Sequence, residues 1–206
     1  MASSLATVPF TADLFPLVAD FDCRADRSRP PTPWEEDVNE WIKPETEPRP
    51  RYWMNKKGSQ CRIWLYIKER EGVEGYDVVG YGSLCRSKWP DVRAEPWRPD
   101  LPKEPVSLIP SVGIQTPFQG QPSDVAPSER YSSQIIEHLI FEARKTMTER
   151  LPFVALYVHP ENEKAIRLYR RCGFAEFAQT YTHPNGMVYR SMILALRPFL
   201  RHKSDE

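Results

Sequence analysis

The stretch from Leu156 to Phe174 puts an amide and a phenol on one helical face. Asn162 follows the strand-like run Phe153 to His159 and stands at the start of a short helix, about Glu161 to Arg171. Tyr169 lies seven residues on, two helical turns along, so the two side chains point the same way. An amide at that place can hydrogen-bond a ligand entering beside the strand. A phenol of ordinary pKa, about 10, is protonated at neutral pH and can donate to a leaving group. The same pair also fits a purely structural role, Asn162 as an N-cap and Tyr169 as a core aromatic.

A second constellation suits an anion. The strand Val112 to Gln115, with Ile114 inside it, runs into the turn Phe118-Gln119-Gly120-Gln121, and a long helix follows. Backbone amides of such a turn and of the helix start bind phosphate, and Arg130, Ser132 and Ser133 add side-chain donors. Pro122 and Pro127 interrupt the approach and have no N–H to offer. Arg130 as a solvated surface residue, with the serines as caps, is the competing reading. A proton acceptor is harder to find. No carboxylate lies on the Ser107 to Gln115 strand; Glu104 just precedes it and His183 sits in the last turn, and a water relay serves equally well.

These residues need elements to hold them. Thr11 is a candidate N-cap for a first helix carrying Leu14, Leu17, Val18 and Phe21, and Trp34 to Ile42 reads as a second. Cys61 to Lys68 and Tyr76 to Cys85 are β-branched and aromatic runs turning at Gly72 to Gly75, which predicts an antiparallel hairpin. Nine of the 21 prolines fall between Pro90 and Pro127. Their density predicts a proline-rich excursion over about 87–127, with Ser87 to Pro105 extended on the surface and Ser107 to Thr116 returning as one strand. Ser128 is placed to cap the long helix, whose apolar face Ile135, Ile136, Leu139, Ile140, Ala143 and Met147 is plain. Gly173 stops the later helix, and Phe174 to Thr182 and Met187 to Leu196 form a last hairpin around His183-Pro184-Asn185-Gly186.

The string Asn162…Ala165…Leu168-Tyr169…Gly173-Phe174 resembles the C-terminal half of the GNAT acetyltransferase signature, and Val79-Gly80-Tyr81 resembles an upstream strand of that family. The resemblance runs from about Thr7 to Leu196 and is strongest from Ile135 onward. It implies an α/β fold in one domain spanning 1–206, with a mixed, mostly antiparallel central sheet splayed at the coenzyme A site. It implies acetyl-CoA as co-substrate and a primary amine as acceptor, attacking directly. Tyr169 would then be the catalytic donor at the thioester sulfur, and Val112, Ile114, Gln119, Gly120, Arg130, Ser132 and Asn162 would bind the cofactor. The sequence departs from the family's Arg/Gln-x-x-Gly-x-Gly/Ala turn after Gly120, which leaves a non-catalytic scaffold with the same fold as an alternative. Phe21-Asp22-Cys23 and Asp37 to Ile42 faintly resemble toxin-type members that acetylate aminoacyl-tRNA, a second alternative.

Lysine plus arginine and aspartate plus glutamate number 28 each, so no global field draws the chain to nucleic acid. The expected acceptor is therefore a small molecule or peptide, with a homodimer left open. The first twenty residues carry no leader pattern or membrane span, and the scattered cysteines suggest neither zinc nor disulfides, so a cytoplasmic protein is expected. The tryptophans Trp34, Trp41, Trp53, Trp89 and Trp97 fit either an acceptor pocket or ordinary core anchors.

Overall fold

The computed structural model describes residues 5–43, 61–70, 72–90, 103–124, 128–146, 153–182 and 186–196. Among these residues eight strands build one sheet: β1 (Ala6–Pro9), β2 (Arg62–Glu69), β3 (Tyr76–Pro90), β4 (Lys103–Ile109), β5 (Val112–Ile114), β6 (Phe153–Val158), β7 (Ala175–Thr182) and β8 (Val188–Ala195). Their order is β1-β2-β3-β4-β6-β8-β7, with β5 also on β3; every pairing is antiparallel except β4 with β6. Among the described residues three α-helices flank the sheet: α1 (Pro33–Ile42), α2 (Tyr131–Lys145) and α3 (Glu163–Arg171).

The alternation along β2 shows how the two layers form. Trp64 and Tyr66 join the core beneath α2 and α3, with Ile135, Ile136, Leu139 and Ile166. Ile63 and Leu65 join the opposite core beneath α1, with Phe21, Trp41, Ile42 and Tyr81. Arg62 pairs with Glu142 at 2.9 Å and ties β2 to α2. Three β3–β5 glycines let neighbours close up: a Cβ on Gly80 would lie 2.4 Å from the Gly113 carbonyl, and one on Gly82 would lie 2.9 Å from Leu139.

Several expectations change. The helix expected after Thr11 is a 3-10 segment, Ala12–Val18, and Thr11 makes no side-chain cap; Pro16 removes the amide an α-helix needs there. Ser87 to Pro105 is not a surface excursion throughout. Strand β3 continues to Pro90 and β4 starts at Lys103, paired from Cys85↔Leu108 to Pro90↔Lys103, and Trp89 is buried between Tyr157 and Phe177. The middle of that excursion, together with Trp53, Trp97, Met147 and His183, lies outside the described residues. Glu104 falls within β4, opposite Trp89. The residue capping α2 is Arg130 rather than Ser128, and it offers no side-chain oxygen to the helix.

The single strand expected from Ser107 to Thr116 is two. Leu108 faces Cys85 and Val112 faces Gly82, so one extra residue enters at Pro110-Ser111 and makes a bulge. Pro110 has no N–H to lose. The Ser111 backbone is bonded on both sides by Ser83, whose amide and hydroxyl both donate to the Ser111 carbonyl and whose Oγ accepts the Ser111 amide. The Ser111 hydroxyl meets the Tyr81 hydroxyl at 2.7 Å. Past this bulge, β5 stays with β3 and leaves β6.

Candidate active site

The departure of β5 opens a cleft of about 1390 Å³ between Ser111–Ile114 on one side and Leu156–His159 on the other. The parallel β4–β6 ladder stops at Ile109↔Leu156, where the opening begins. The residues assigned to catalysis and cofactor line it, Val112, Ile114, Gln119, Gly120, Arg130, Ser132, Asn162 and Tyr169, whereas Ser133, expected as a further donor, is not among its lining residues.

On the β5 wall, hydrogen bonds from Ser83 to Ser111 and from Gln115 to Val79 fix the alternation of the strand. Ser111, Gly113 and Gln115 turn their amides and carbonyls toward β3, so those of Val112 and Ile114 face the cleft. The Ile114 carbonyl accepts the Gln119 side chain, so the Val112 amide and carbonyl and the Ile114 amide are the groups that stand where a neighbouring strand would otherwise be.

At the end of this wall the turn is welded to the N-terminal segment. The Thr116 hydroxyl lies 2.8 Å from both the Asp22 and Arg24 carbonyls, and Gln119 donates its side-chain amide to the Cys23 and Ile114 carbonyls. Those bonds occupy the Gln119 amide, so the donor expected for a cofactor works instead as a strut. Gly120 adopts φ +72°, and a Cβ there would meet nothing within 4 Å, so the turn presents bare backbone. The inserted loop beyond it is held down by Asp124, which accepts from Lys68 at 2.8 Å and from the Tyr131 hydroxyl at 2.7 Å.

Helix α2 then begins without a side-chain cap. Ser133 and Gln134 donate to the Arg130 carbonyl; the bridge between Pro122 and Arg130 turns the Tyr131 amide to the inserted loop, and the Ser132 amide precedes the first intrahelical bond. With the exposed Arg130 guanidinium and the Ser132 hydroxyl, this is a site fit for an anion.

The opposite wall comes from α3. Asn162 caps it, its side-chain oxygen accepting the Ala165 amide at 3.1 Å, which leaves the Nδ2 hydrogens as its ligand donors. The C-terminal end is a Schellman turn: Phe174 donates to the Tyr169 carbonyl, Gly173 to that of Arg170, and Gly173 takes φ +90°. The associated apolar contact is Tyr169 against Phe174, ring centroids 6.0 Å apart. The Tyr169 ring is therefore held from two sides. Its hydroxyl makes no hydrogen bond among the described residues and opens into the cleft, and burial pushes its pKa up to about 12.

The sequence profile of the acetyltransferase (GNAT) family matches residues 29–174, well over half the chain. The protein belongs to the GNAT family.

Solved structures agree on the fold of this GNAT protein. The NatC complex bound to Gag peptide and CoA shares 14% identity at a TM-score of 0.51, covering 94% of this chain and 99% of its own. NAA60 of Arabidopsis thaliana, solved with a bisubstrate analogue, shares 12% at 0.55, covering 94% and 100%. AtaT complexed with acetyl-methionyl-tRNAfMet shares 20% at 0.55, covering 91% and 94%. No curated protein matches the chain significantly in sequence.

Sequence reasoning missed part of the GNAT cleft. His159 and Trp34 stack with centroids 4.6 Å apart, joining the end of β6 to α1. Trp34, Asp37, Val38 and Trp41 recur at helical spacing and all line the cleft, a signal that was readable once α1 was assigned. Glu35, next to Trp34 and also in the lining, is fully engaged: it receives both Arg29 nitrogens and the Ala25 and Thr32 amides at 2.8–2.9 Å. Burial by itself would raise its pKa, yet these donors hold it at about 2, too acidic for a base. Among the described residues no helix is long and apolar enough to cross a membrane, and no cluster of three or more acidic, histidine or cysteine side chains could hold a metal.

Proposed function

We propose that this protein is an N-acetyltransferase that moves an acetyl group from acetyl-CoA to a primary amine by direct attack. The observation that carries the reading is the splay at Pro110-Ser111. It opens one cleft onto a helix start without a side-chain cap, the outward edge of β5 and a half-buried phenol. Those three features match the three parts of the co-substrate. The α2 amides, Arg130, Ser132 and the bare Gly120 backbone suit the pyrophosphate. The Val112 and Ile114 backbone suits the amides of the pantetheine arm, which completes the sheet as an added strand. The Asn162 Nδ2 group donates from the other wall.

In the reaction the neutral amine nitrogen attacks the thioester carbonyl, the C–S bond breaks, and the sulfur leaves with the electron pair. Tyr169 donates a hydrogen bond to that sulfur. A phenol of pKa about 12 does not surrender its proton to a thiolate of ordinary pKa near 8.5. The proton that ends on the thiol is therefore the one shed by the attacking amine, relayed by water. Four free cysteines fit a reducing compartment, the cytoplasm. The balanced charge makes a tRNA acceptor, of the kind seen with AtaT, the less favoured choice.

Calorimetric titration with acetyl-CoA, beside Arg130→Ala, tests the reading. Micromolar binding that weakens about tenfold or more in the variant supports it; no binding at millimolar acetyl-CoA overturns it.

A further inference from the structure

The cleft continues beyond Tyr169, and its far half is built from aromatic rings. Tyr157 and Tyr181 stack at 4.7 Å, Tyr181 meets its cross-strand partner Tyr189 at 6.2 Å, and Tyr189 meets His159 edge-on at 5.8 Å. His159 in turn stacks on Trp34 at 4.6 Å. Five rings from β6, β7, β8 and α1 thus form a continuous wall, and all five line the cleft. The strand geometry explains their shared face: Tyr157 on β6 and His159 just past its end are two apart, Tyr157 lies opposite Ser191, and Ser191 and Tyr189 are two apart on β8.

This wall is more than core. Trp89, behind Tyr157, is buried and packs against Phe177. Tyr181 is 37% exposed, and Tyr157, His159 and Trp34 are half-buried and line the cleft. The surrounding charges divide as well. Arg130, Lys164, Arg167 and Arg171 outnumber Glu161 and Glu163 where α2 and α3 border the cleft, whereas on the α1 side Glu35 and Asp37 outnumber Arg29. An anionic cofactor suits the first end and a cationic, ring-bearing acceptor the second.

Resting on the transferase reading, we propose that the wall Trp34–His159–Tyr189–Tyr181–Tyr157 is the acceptor subsite and selects compact primary amines that carry a flat aromatic ring. Aromatic side chains attract one another through face and edge electrostatics beyond simple area, which a saturated ring of the same size cannot reproduce. A small amine is favoured over a nucleic-acid end because the chain carries no excess positive charge and Tyr189 is sunk to 8% exposure at the centre of the wall.

The test is direct binding, measured by calorimetry on the full chain with saturating CoA, using phenethylamine and 2-cyclohexylethylamine as matched probes. Phenethylamine is expected to bind about tenfold more tightly. Tyr181→Leu keeps the wall apolar at its most exposed ring and brings the ratio close to one, and Trp34→Leu does the same from the α1 side. Equal affinity for the two amines, no binding of either, or a ratio unchanged in both variants overturns the proposal. Tighter binding of a CCA trinucleotide, with displacement of phenethylamine, overturns it in favour of an RNA end. The transferase reading is read separately: phenethylamine that binds with the expected ratio but is never acetylated leaves the subsite standing and removes the reaction.

Discussion

Replacing Tyr169 by Phe removes one oxygen and nothing else that holds the fold. The Schellman turn is backbone, the contact with Phe174 uses the ring, and the hydroxyl bonds to no described residue. Stability should therefore stay within about 0.5 kcal/mol of the parent, a shift of a few degrees in Tm at most. Catalysis should not. Full proton transfer from a phenol of pKa about 12 to a thiolate near 8.5 is uphill by about 5 kcal/mol, so the hydroxyl acts by hydrogen bonding to the developing thiolate. Losing one such preorganised donor costs about 100- to 1,000-fold in kcat, with KM for acetyl-CoA little changed. A free-thiol release assay with phenethylamine as acceptor measures both constants, and a thermal melt measures stability. Because the phenol stays protonated to about pH 11, the parent and the variant should show the same rising limb with pH, set by the amine. A kcat within threefold of the parent refutes the reasoning. So does a loss of rate accompanied by a Tm drop of ten degrees.

Three further outcomes follow from the fold. Gly80→Ala places a methyl 2.4 Å from the Gly113 carbonyl, so β5 must move; about 2–3 kcal/mol of stability should go, with weakened acetyl-CoA binding, by urea denaturation and calorimetry. Gly120→Ala meets no atom within 4 Å and carries only left-handed strain, about 1 kcal/mol, which the same denaturation series resolves from the Gly80 effect. Glu35, with its pKa held at about 2 against an ordinary 4.5, contributes stability that is complete above pH 4.5 and is lost as pH falls toward 2. Denaturation between pH 6 and 2.5 should show a loss approaching about 3 kcal/mol, and a flatter limb in Arg29→Ala, whose Glu35 has lost the guanidinium.

The sequence made the segment from Ile135 to Phe174 readable because its order is local: apolar spacing defines α2, and the Gly173 stop defines the end of α3. The eight candidate residues came from such local patterns, and the fold brings them to one cleft. What escaped notice depends on partners far along the chain. Proline density around Pro90 and Pro105 suggested an excursion, but β3 and β4 pair there because Trp89 is covered by Tyr157 and Phe177, residues 68 and 88 positions away. Nothing local to Gln119 says that its side-chain amide reaches the Cys23 carbonyl, 96 positions away. The aromatic wall was invisible for the same reason: four separate elements supply its five rings.

The three-position ladder joining β4 to β6 is the shortest link along the main path of the sheet and its one parallel pairing. It closes a chain segment of more than forty residues, so it is costly in entropy and offers few bonds in return. The two halves of the sheet are then units joined by few backbone bonds at this seam, and side chains such as Trp89 of β3 against Tyr157 and Phe177 carry the contact across it. Amides of Leu108, Ile109 and the facing β6 residues should exchange with solvent sooner than those of the β2–β3 hairpin. A cofactor lodged at the splay would touch both units at once. At a hundred times its dissociation constant it would add about 2.7 kcal/mol, concentrated on the seam, so the enzyme's own co-substrate would act as the clasp of its fold.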